Sequence, residues 1–328
     1  MDVPATIVMP QTTPEIKVTA VRKRGAKVIL HGDDFSAAYR RARELIKEKG
    51  LTFLHPYDDP EVIAGQGTVG MEILRQNMGS IYAIFVPIGG GGLAAGIAAY
   101  VKMLRPEIKV IGVEASDAAS MFNSLKIGRR VVLDEVGTFA DGVAVAQVGK
   151  ENFRIAQKCI DDVVLADVDQ MCAAIKDLFN DTRVVAEPSG ALAVAGMEIF
   201  AARHKLKRKI LVAINTGANT NFDRLRYISE RAELGEAREA LFAVIIPEEK
   251  GSFRRFCQVL GKQNITEFNY RYTGKTIAQI FLGVRLDHGE KERSSILKMI
   301  QKNGYTVSDL TNNELAKTHI RHLVGGQP

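Results

Sequence analysis

The chain has 328 residues, of which 46% are hydrophobic and 25% are charged, and its formal net charge is +6. This length allows two domains with ample apolar cores, and the composition is that of an ordinary globular protein. The three cysteines lie far apart without the spacing of a disulfide or metal motif, which indicates a reducing compartment. The basic residues are scattered and the chain contains no tryptophan, so we expect no nucleic-acid partner. The six histidines are scattered as well, so we expect no bound metal.

Strands and helices alternate from the N-terminus to about residue 214. Apolar segments that predict strands span 5–9, 26–31, 51–55, 81–88, 109–114 and 210–214. Amphipathic helices are predicted between them, and this alternation is typical of an α/β sandwich with a parallel sheet. The chain begins directly on a strand, so we expect an α/β domain that lacks its N-terminal part.

The pattern changes after residue 234, where the predicted order becomes β-α-β-β-α-β up to residue 310. This order is that of a ferredoxin-like unit. The charge-rich segment 230–239 is the expected connector. We therefore expect a first domain over residues 1–235 and a second over residues 236–328.

Four consecutive glycines follow the predicted strand 81–88, and a helix begins after them. Glycines allow several backbone N–H groups to point at one spot, and the N-terminus of the helix adds its positive dipole end. The predicted phosphate-binding residues are Gly89, Gly90, Gly91, Gly92 and Leu93. The alternative is a tight turn that only permits close packing of the strand and the helix.

Residues 81–101 carry no charge and are long enough to span a bilayer. Pro87 and the four glycines interrupt this stretch, so strand, turn and helix explain it better than a membrane span does. We expect no membrane partner.

A dinucleotide site is a competing hypothesis. Gly90, Gly92 and Ala95 fit the relaxed dinucleotide fingerprint, and Glu114 lies where a ribose-binding acid belongs. This hypothesis implies an NAD-dependent oxidoreductase. Four contiguous glycines, however, suit a terminal phosphate monoester better than a pyrophosphate.

Two further segments could contribute ligand groups. Thr216 follows the strand 210–214, at a position where α/β proteins place such groups. Taken by itself, Thr216 is better explained as a turn or cap residue. Glu187 and Ser189, on either side of Pro188, are likewise better explained by the start of a helix, with Ser189 as its cap.

Taken together, the motifs resemble those of a known family. They are Ile-Gly-Gly-Gly-Gly-Leu-Ala-Ala-Gly at 88–96, Glu-Pro-Ser-Gly-Ala at 187–191, Thr-Gly-Ala-Asn at 216–219, and the segments 64–68, 139–143, 233–240 and 246–253. They resemble the pyridoxal-phosphate enzymes of the tryptophan-synthase β fold (fold type II), and within these the biosynthetic threonine dehydratases. The resemblance covers essentially the whole chain.

The resemblance implies pyridoxal 5′-phosphate as cofactor, with its phosphate on the glycine loop and the Thr216 hydroxyl facing the pyridine nitrogen. It implies conversion of L-threonine to 2-oxobutanoate and ammonia, the first step of isoleucine biosynthesis, and leaves L-serine open as a second substrate. It further implies an ACT-like regulatory domain that senses isoleucine and valine, and a homotetramer when full length.

One departure from the family pattern is large. The family holds its cofactor as a Schiff base on a lysine in a Ser/Asn-Phe-Lys motif, and this motif is absent from the chain. We therefore assign no catalytic residue and expect the chain alone to be inactive. A non-catalytic amino-acid-sensing homologue is the alternative. Localisation stays open between cytoplasm and plastid.

Overall fold

The computed structural model describes residues 3–13, 15–33, 35–77, 79–220, 222, 224–272 and 276–320. The chain divides into two compact units, Met1–Pro56 and Tyr57–Pro328. No helix in these described ranges is both long and apolar enough to cross a membrane.

The described residues of the first unit form two strands and two helices. They are β1 (Thr6–Met9), α1 (Glu15–Lys23), β2 (Lys27–Leu30) and α2 (Phe35–Lys49). Strands β1 and β2 pair in parallel, as the alternating pattern predicts. The strand predicted over 51–55 is wrong, because these residues have no strand pairing. Phe53 and His55 instead pack their rings against Tyr39 of α2, at centroid distances of 5.7 and 5.9 Å.

In the α/β part of the second unit, the residues that the structure describes form four parallel strands in the order β5-β4-β3-β6. Its elements are α3 (Pro60–Gln76), β3 (Ile81–Pro87), α4 (Gly92–Leu104), β4 (Lys109–Ala115), α5 (Ser120–Ile127), a 3₁₀ turn (Asp141–Val143), α6 (Lys150–Cys159), β5 (Asp162–Ala166), α7 (Val168–Thr182), α8 (Pro188–Arg203), β6 (Ile210–Ala213) and α9 (Arg224–Gly235). Residues 81–101 thus form a strand, a turn and a helix, as predicted.

Apolar cores cover both faces of this sheet, which explains why β3 is apolar along its whole length. Phe85 faces a core shared with α7, α8 and α9, whereas Ile84 faces a core shared with α4 and α6. Helices α3 and α4 approach closely, since a Cβ on Gly96 would lie 2.3 Å from the carbonyl oxygen of Ile63. The predicted three-layer α/β sandwich is confirmed.

The C-terminal part contains β7 (Glu239–Pro247), α10 (Ser252–Leu260), β8 (Ile265–Tyr272), β9 (Ile277–Arg285), α11 (Gly289–Lys302), β10 (Thr306–Asp309) and α12 (Glu314–Ile320). Its strands form an antiparallel sheet in the order β10-β7-β9-β8. Alternate residues of β7 and β9 form a core with Phe256 of α10 and Ile300 of α11. The predicted ferredoxin-like arrangement is confirmed.

The expected connector, 230–239, is largely helical. Helix α9 continues to Gly235, and β7 begins at Glu239. The helix persists because Ile228 and Ala232 on one side of it are buried. The domain boundary between residues 235 and 236 stays a prediction.

Candidate functional site

The glycine loop lies at the C-terminal edge of the parallel sheet. Strand β3 ends at Pro87 and α4 begins at Gly92, so residues 88–91 form the turn. Strand β6 runs parallel beside β3, with Ala213 opposite Phe85. Thr216 follows β6 and is therefore at the same edge as the loop, where open α/β sheets bind ligands.

Close contacts explain why the loop contains glycines. A Cβ on Gly90 would lie 2.3 Å from Cγ of Tyr57, and a Cβ on Gly92 would lie 2.8 Å from the Tyr57 carbonyl oxygen. Gly91 has φ of 93°, a left-handed conformation that other residues rarely adopt. A side chain at Gly90 or Gly92 would therefore displace the segment at Tyr57, and a side chain at Gly91 would strain the backbone.

The N–H groups of the loop and of the first turn of α4 are available to an anion. Among the described residues, no backbone carbonyl accepts from the N–H of Gly89, Gly90 or Gly91. The first N–H groups of α4, from Gly92 onward, have no intrahelical acceptor because of their position in the helix. This donor set, at the positive end of a 13-residue helix, fits a phosphate group.

Helix α6 supports the outer side of the loop. Asn152 donates from Nδ2 to the carbonyl oxygens of Gly90 and Tyr57, both at 2.8 Å. The N–H of Gly149 also donates to the Gly90 oxygen, at 3.0 Å. The Asp58 carboxylate accepts from the first N–H groups of α6 at 2.8 and 2.9 Å. These residues could not be predicted from the sequence, because they lie far from the loop in the chain and carry no local signal.

The Glu-Pro-Ser-Gly-Ala segment packs against the end of β6. The Glu187 carboxylate accepts from the Ser189 hydroxyl at 3.1 Å and from the N–H of Asn219 at 3.2 Å. The N-cap of α8 is Glu187, so the prediction that Ser189 caps this helix is wrong. The Thr216 hydroxyl makes a long hydrogen bond, 3.4 Å, to the Ser189 carbonyl oxygen. The structural interpretation of Glu187 is therefore favoured, because its carboxylate holds two neighbouring loops together.

The Phe-Ala-Asp-Gly-Val segment reaches the same edge. A Cβ on Gly89 would lie 3.0 Å from Cα of Val143, and a Cβ on Gly142 would lie 2.5 Å from the Ser189 hydroxyl. Segments distant in sequence thus meet around the glycine loop. Within the described ranges, no three His, Cys, Asp or Glu side chains are arranged to hold a metal.

Glu114 does not reach this edge as a ligand group. Its side chain is fully buried, and its carboxyl accepts from the N–H groups of Met121 and Phe122 at 2.7 and 2.8 Å. Burial raises the pKa of Glu114 to about 7, against the lowering effect of these hydrogen bonds. Glu114 is therefore not available to bind the ribose of a dinucleotide, because its carboxyl caps α5. This finding argues against the dinucleotide hypothesis.

Comparison with known proteins identifies the family of the chain. Residues 1–217 match the family of pyridoxal-phosphate dependent enzymes, and residues 230–320 match the C-terminal regulatory domain of threonine dehydratase. The chain therefore belongs to the pyridoxal-phosphate-dependent enzymes. Within that family, its second match associates it with the biosynthetic threonine dehydratases. The predicted cofactor, pyridoxal 5′-phosphate, is confirmed as that of the family.

The similar proteins are longer than this chain. The biosynthetic L-threonine dehydratase of Burkholderia multivorans is 57% identical over 100% of this chain and 65% of its own length. The Escherichia coli protein of the same name is 53% identical, over 64% of its length. Relatives named chloroplastic and mitochondrial occur in Arabidopsis thaliana and Schizosaccharomyces pombe.

The solved structures that share the fold include a threonine deaminase and a serine racemase. Processed threonine deaminase isoform 2 of Solanum lycopersicum is 48% identical with a TM-score of 0.69, covering 71% of this chain and 64% of its own. The serine racemase of Dictyostelium discoideum is 31% identical with a TM-score of 0.61, covering 67% of this chain and 70% of its own.

Proposed function

We propose that this chain is part of a threonine dehydratase that converts L-threonine to 2-oxobutanoate and ammonia in isoleucine biosynthesis. The observation that carries the proposal is the combination of two parts in one chain. A glycine loop lies at the edge of a parallel sheet, and a threonine-dehydratase regulatory domain follows it. The relatives that match both parts are named threonine dehydratases.

We further propose that Gly89, Gly90, Gly91, Gly92 and Leu93 hold the cofactor phosphate. The available N–H groups of the loop and the dipole of α4 support this assignment. When bound, pyridoxal phosphate supplies an electron sink for elimination from the β carbon. The loop's own contribution would be to bind the cofactor phosphate and to orient the cofactor.

Thr216 is proposed to face the pyridine nitrogen. It follows the strand next to β3, and its 3.4 Å hydrogen bond to Ser189 is weak enough to be exchanged for a bond to a ligand. A neutral hydroxyl stabilises a protonated ring nitrogen less than a carboxylate would. L-Serine remains a candidate second substrate, since it differs from threonine by one methyl group.

Turnover by this chain alone is not expected. The sequence contains no Ser-Phe-Lys or Asn-Phe-Lys. In the family that the chain resembles, this motif supplies the lysine that binds the cofactor. The test compares 2-oxobutanoate release from L-threonine, with added cofactor, by this chain and by the longest open reading frame that contains it. We expect release only from the longer protein. Turnover by the chain itself would refute the expected inactivity, and an inactive longer protein would refute the proposed function.

Regulation by isoleucine and valine is the second part of the proposal, supported by the match of residues 230–320. Titration calorimetry with isoleucine, and with leucine as control, tests effector binding. If isoleucine binds while the longer protein stays inactive, the chain is an amino-acid sensor instead. Sedimentation of the longer protein tests the proposed homotetramer.

A further inference from the structure

We propose that Asn152 is a positioning residue for the phosphate-binding loop: it fixes the peptide group between Gly90 and Gly91 so that the Gly91 N–H faces the ligand. This inference rests on the proposed phosphate site. It concerns a residue on α6, 62 positions from Gly90, that carries no motif of its own.

The peptide group between Gly90 and Gly91 is held through its carbonyl oxygen. The Gly90 carbonyl oxygen receives two hydrogen bonds from the α6 side, from Asn152 Nδ2 at 2.8 Å and from the N–H of Gly149 at 3.0 Å. In a trans peptide the C=O and the following N–H point in opposite directions. The described chain has no cis peptide bonds. Holding the Gly90 oxygen toward α6 therefore turns the Gly91 N–H away from α6.

The peptide group needs such a restraint because the loop is made of glycine. Gly90 and Gly91 have no side chains to bias their backbone, and glycine populates both signs of φ. A rotated Gly90–Gly91 peptide would present a carbonyl oxygen to the anion in place of an N–H. Two donors on the Gly90 oxygen oppose this rotation, and the Asn152 donor also binds the Tyr57 carbonyl.

The surroundings of Asn152 require its side-chain amide to act as a hydrogen-bond donor. Its side chain is fully buried, and its Oδ1 has no hydrogen-bond partner among the described residues. Exchanging the amide oxygen and nitrogen would place Oδ1 against two carbonyl oxygens, so the orientation is determined. Asn152 lies in the first turn of α6, which the Asp58 carboxylate holds in place through the N–H groups of Lys150 and Glu151.

The experiment measures phosphate recognition apart from catalysis. The probes are 4′-deoxypyridoxine 5′-phosphate, which cannot bond covalently to lysine, and 4′-deoxypyridoxine, which lacks the phosphate. Calorimetry gives the ratio of their affinities for the unaltered chain, for Asn152→Leu and for Asn152→Asp. Asn180→Leu, on the exposed side of α7, is the control. Thermal unfolding of each variant reports general damage.

We expect the phosphate-dependent ratio of affinities to fall about tenfold or more in Asn152→Leu, because the equivalent of one hydrogen bond to a charged group is lost. The affinity for the unphosphorylated probe should change little. Asn152→Asp should lower the ratio further, because its carboxylate repels the carbonyls. If Asn152→Leu does not fold, Asn152→Asp and the control decide. An unchanged ratio, or equal weakening of both probes, would overturn the inference. No phosphate-dependent binding by the unaltered chain would overturn the proposed phosphate site itself.

Discussion

Replacing Arg231 by methionine should destabilise the protein strongly, because this arginine is the centre of a buried ionic cluster. Its side chain is 1% exposed. The guanidinium donates to both oxygens of Glu314 at 2.7 and 3.0 Å and pairs with Asp169 through Nε. Lys317 pairs with Asp169 and, at 2.9 Å, with Glu314. The cluster joins α7, α9 and α12, and so connects the α/β part with the end of the regulatory part.

The magnitude follows from the burial of each partner. Removing one member of a buried ion pair costs about 3–5 kcal/mol, because the remaining charge is left uncompensated. Asp169 is mostly buried and keeps its pair with Lys317, whereas the Glu314 side chain is 65% exposed and water can solvate it. We therefore expect Arg231→Met to cost about 3 kcal/mol of unfolding free energy, and Glu314→Gln about 1 kcal/mol.

Urea unfolding at pH 7, followed by circular dichroism, measures these changes. Arg226→Met is the matched control, since Arg226 lies on the same helix but is 77% exposed and pairs with Glu230 on the helix surface. It should change the unfolding free energy by less than about 0.5 kcal/mol. Adding Asp169→Asn to Arg231→Met should cost less than the sum of the single changes. Equal effects of Arg231→Met and Arg226→Met would refute the reasoning.

Other predictions concern the loop and a buried acid. Gly90→Ala should abolish binding of 4′-deoxypyridoxine 5′-phosphate in calorimetry, because its Cβ would collide with the Tyr57 ring. The control is Gly65→Ala, whose Cβ would meet nothing within 4 Å. It should bind this probe normally and gain up to about 1 kcal/mol of unfolding free energy. Binding by Gly90→Ala would contradict the close contact. The pKa of Glu114 is about 7, against an ordinary 4.5. The contribution of Glu114 to the free energy of unfolding is therefore complete below pH 4.5 and is lost as the pH rises through 7. Unfolding free energies from urea titrations should therefore decline by roughly 2.5 kcal/mol between pH 5 and pH 8. This decline should be absent in Glu114→Gln, and parallel curves for the two proteins would show that Glu114 is not the cause.

Local patterns were sufficient for much of the fold. Strand β3, the glycine turn and α4 follow from a continuous apolar run, four glycines and helical periodicity. The order of elements in the ferredoxin-like part follows from alternation between the two periodicities. In each case the signal comes from residues close together in sequence, so these elements could be predicted without knowledge of the tertiary contacts.

Features that depend on distant contacts were not predictable. The segment 51–55 has the apolar character of a strand, yet a strand requires a pairing partner, and its side chains pack on α2 instead. Glu114 has the spacing of a ribose-binding acid, but only the fold shows that it caps α5. Asn152 and Tyr57 meet the loop through tertiary packing alone. The glycines predicted a phosphate site, whereas the residues that hold the glycines in place carried no signal.

The central claim, that backbone N–H groups of residues 89–93 bind the cofactor phosphate, is tested most directly by a crystal structure of this chain with 4′-deoxypyridoxine 5′-phosphate. We predict phosphate density within hydrogen-bonding distance of the N–H groups of Gly89 to Leu93, with the ring beside Thr216. Density at surface lysines, and none at the loop, would contradict the account.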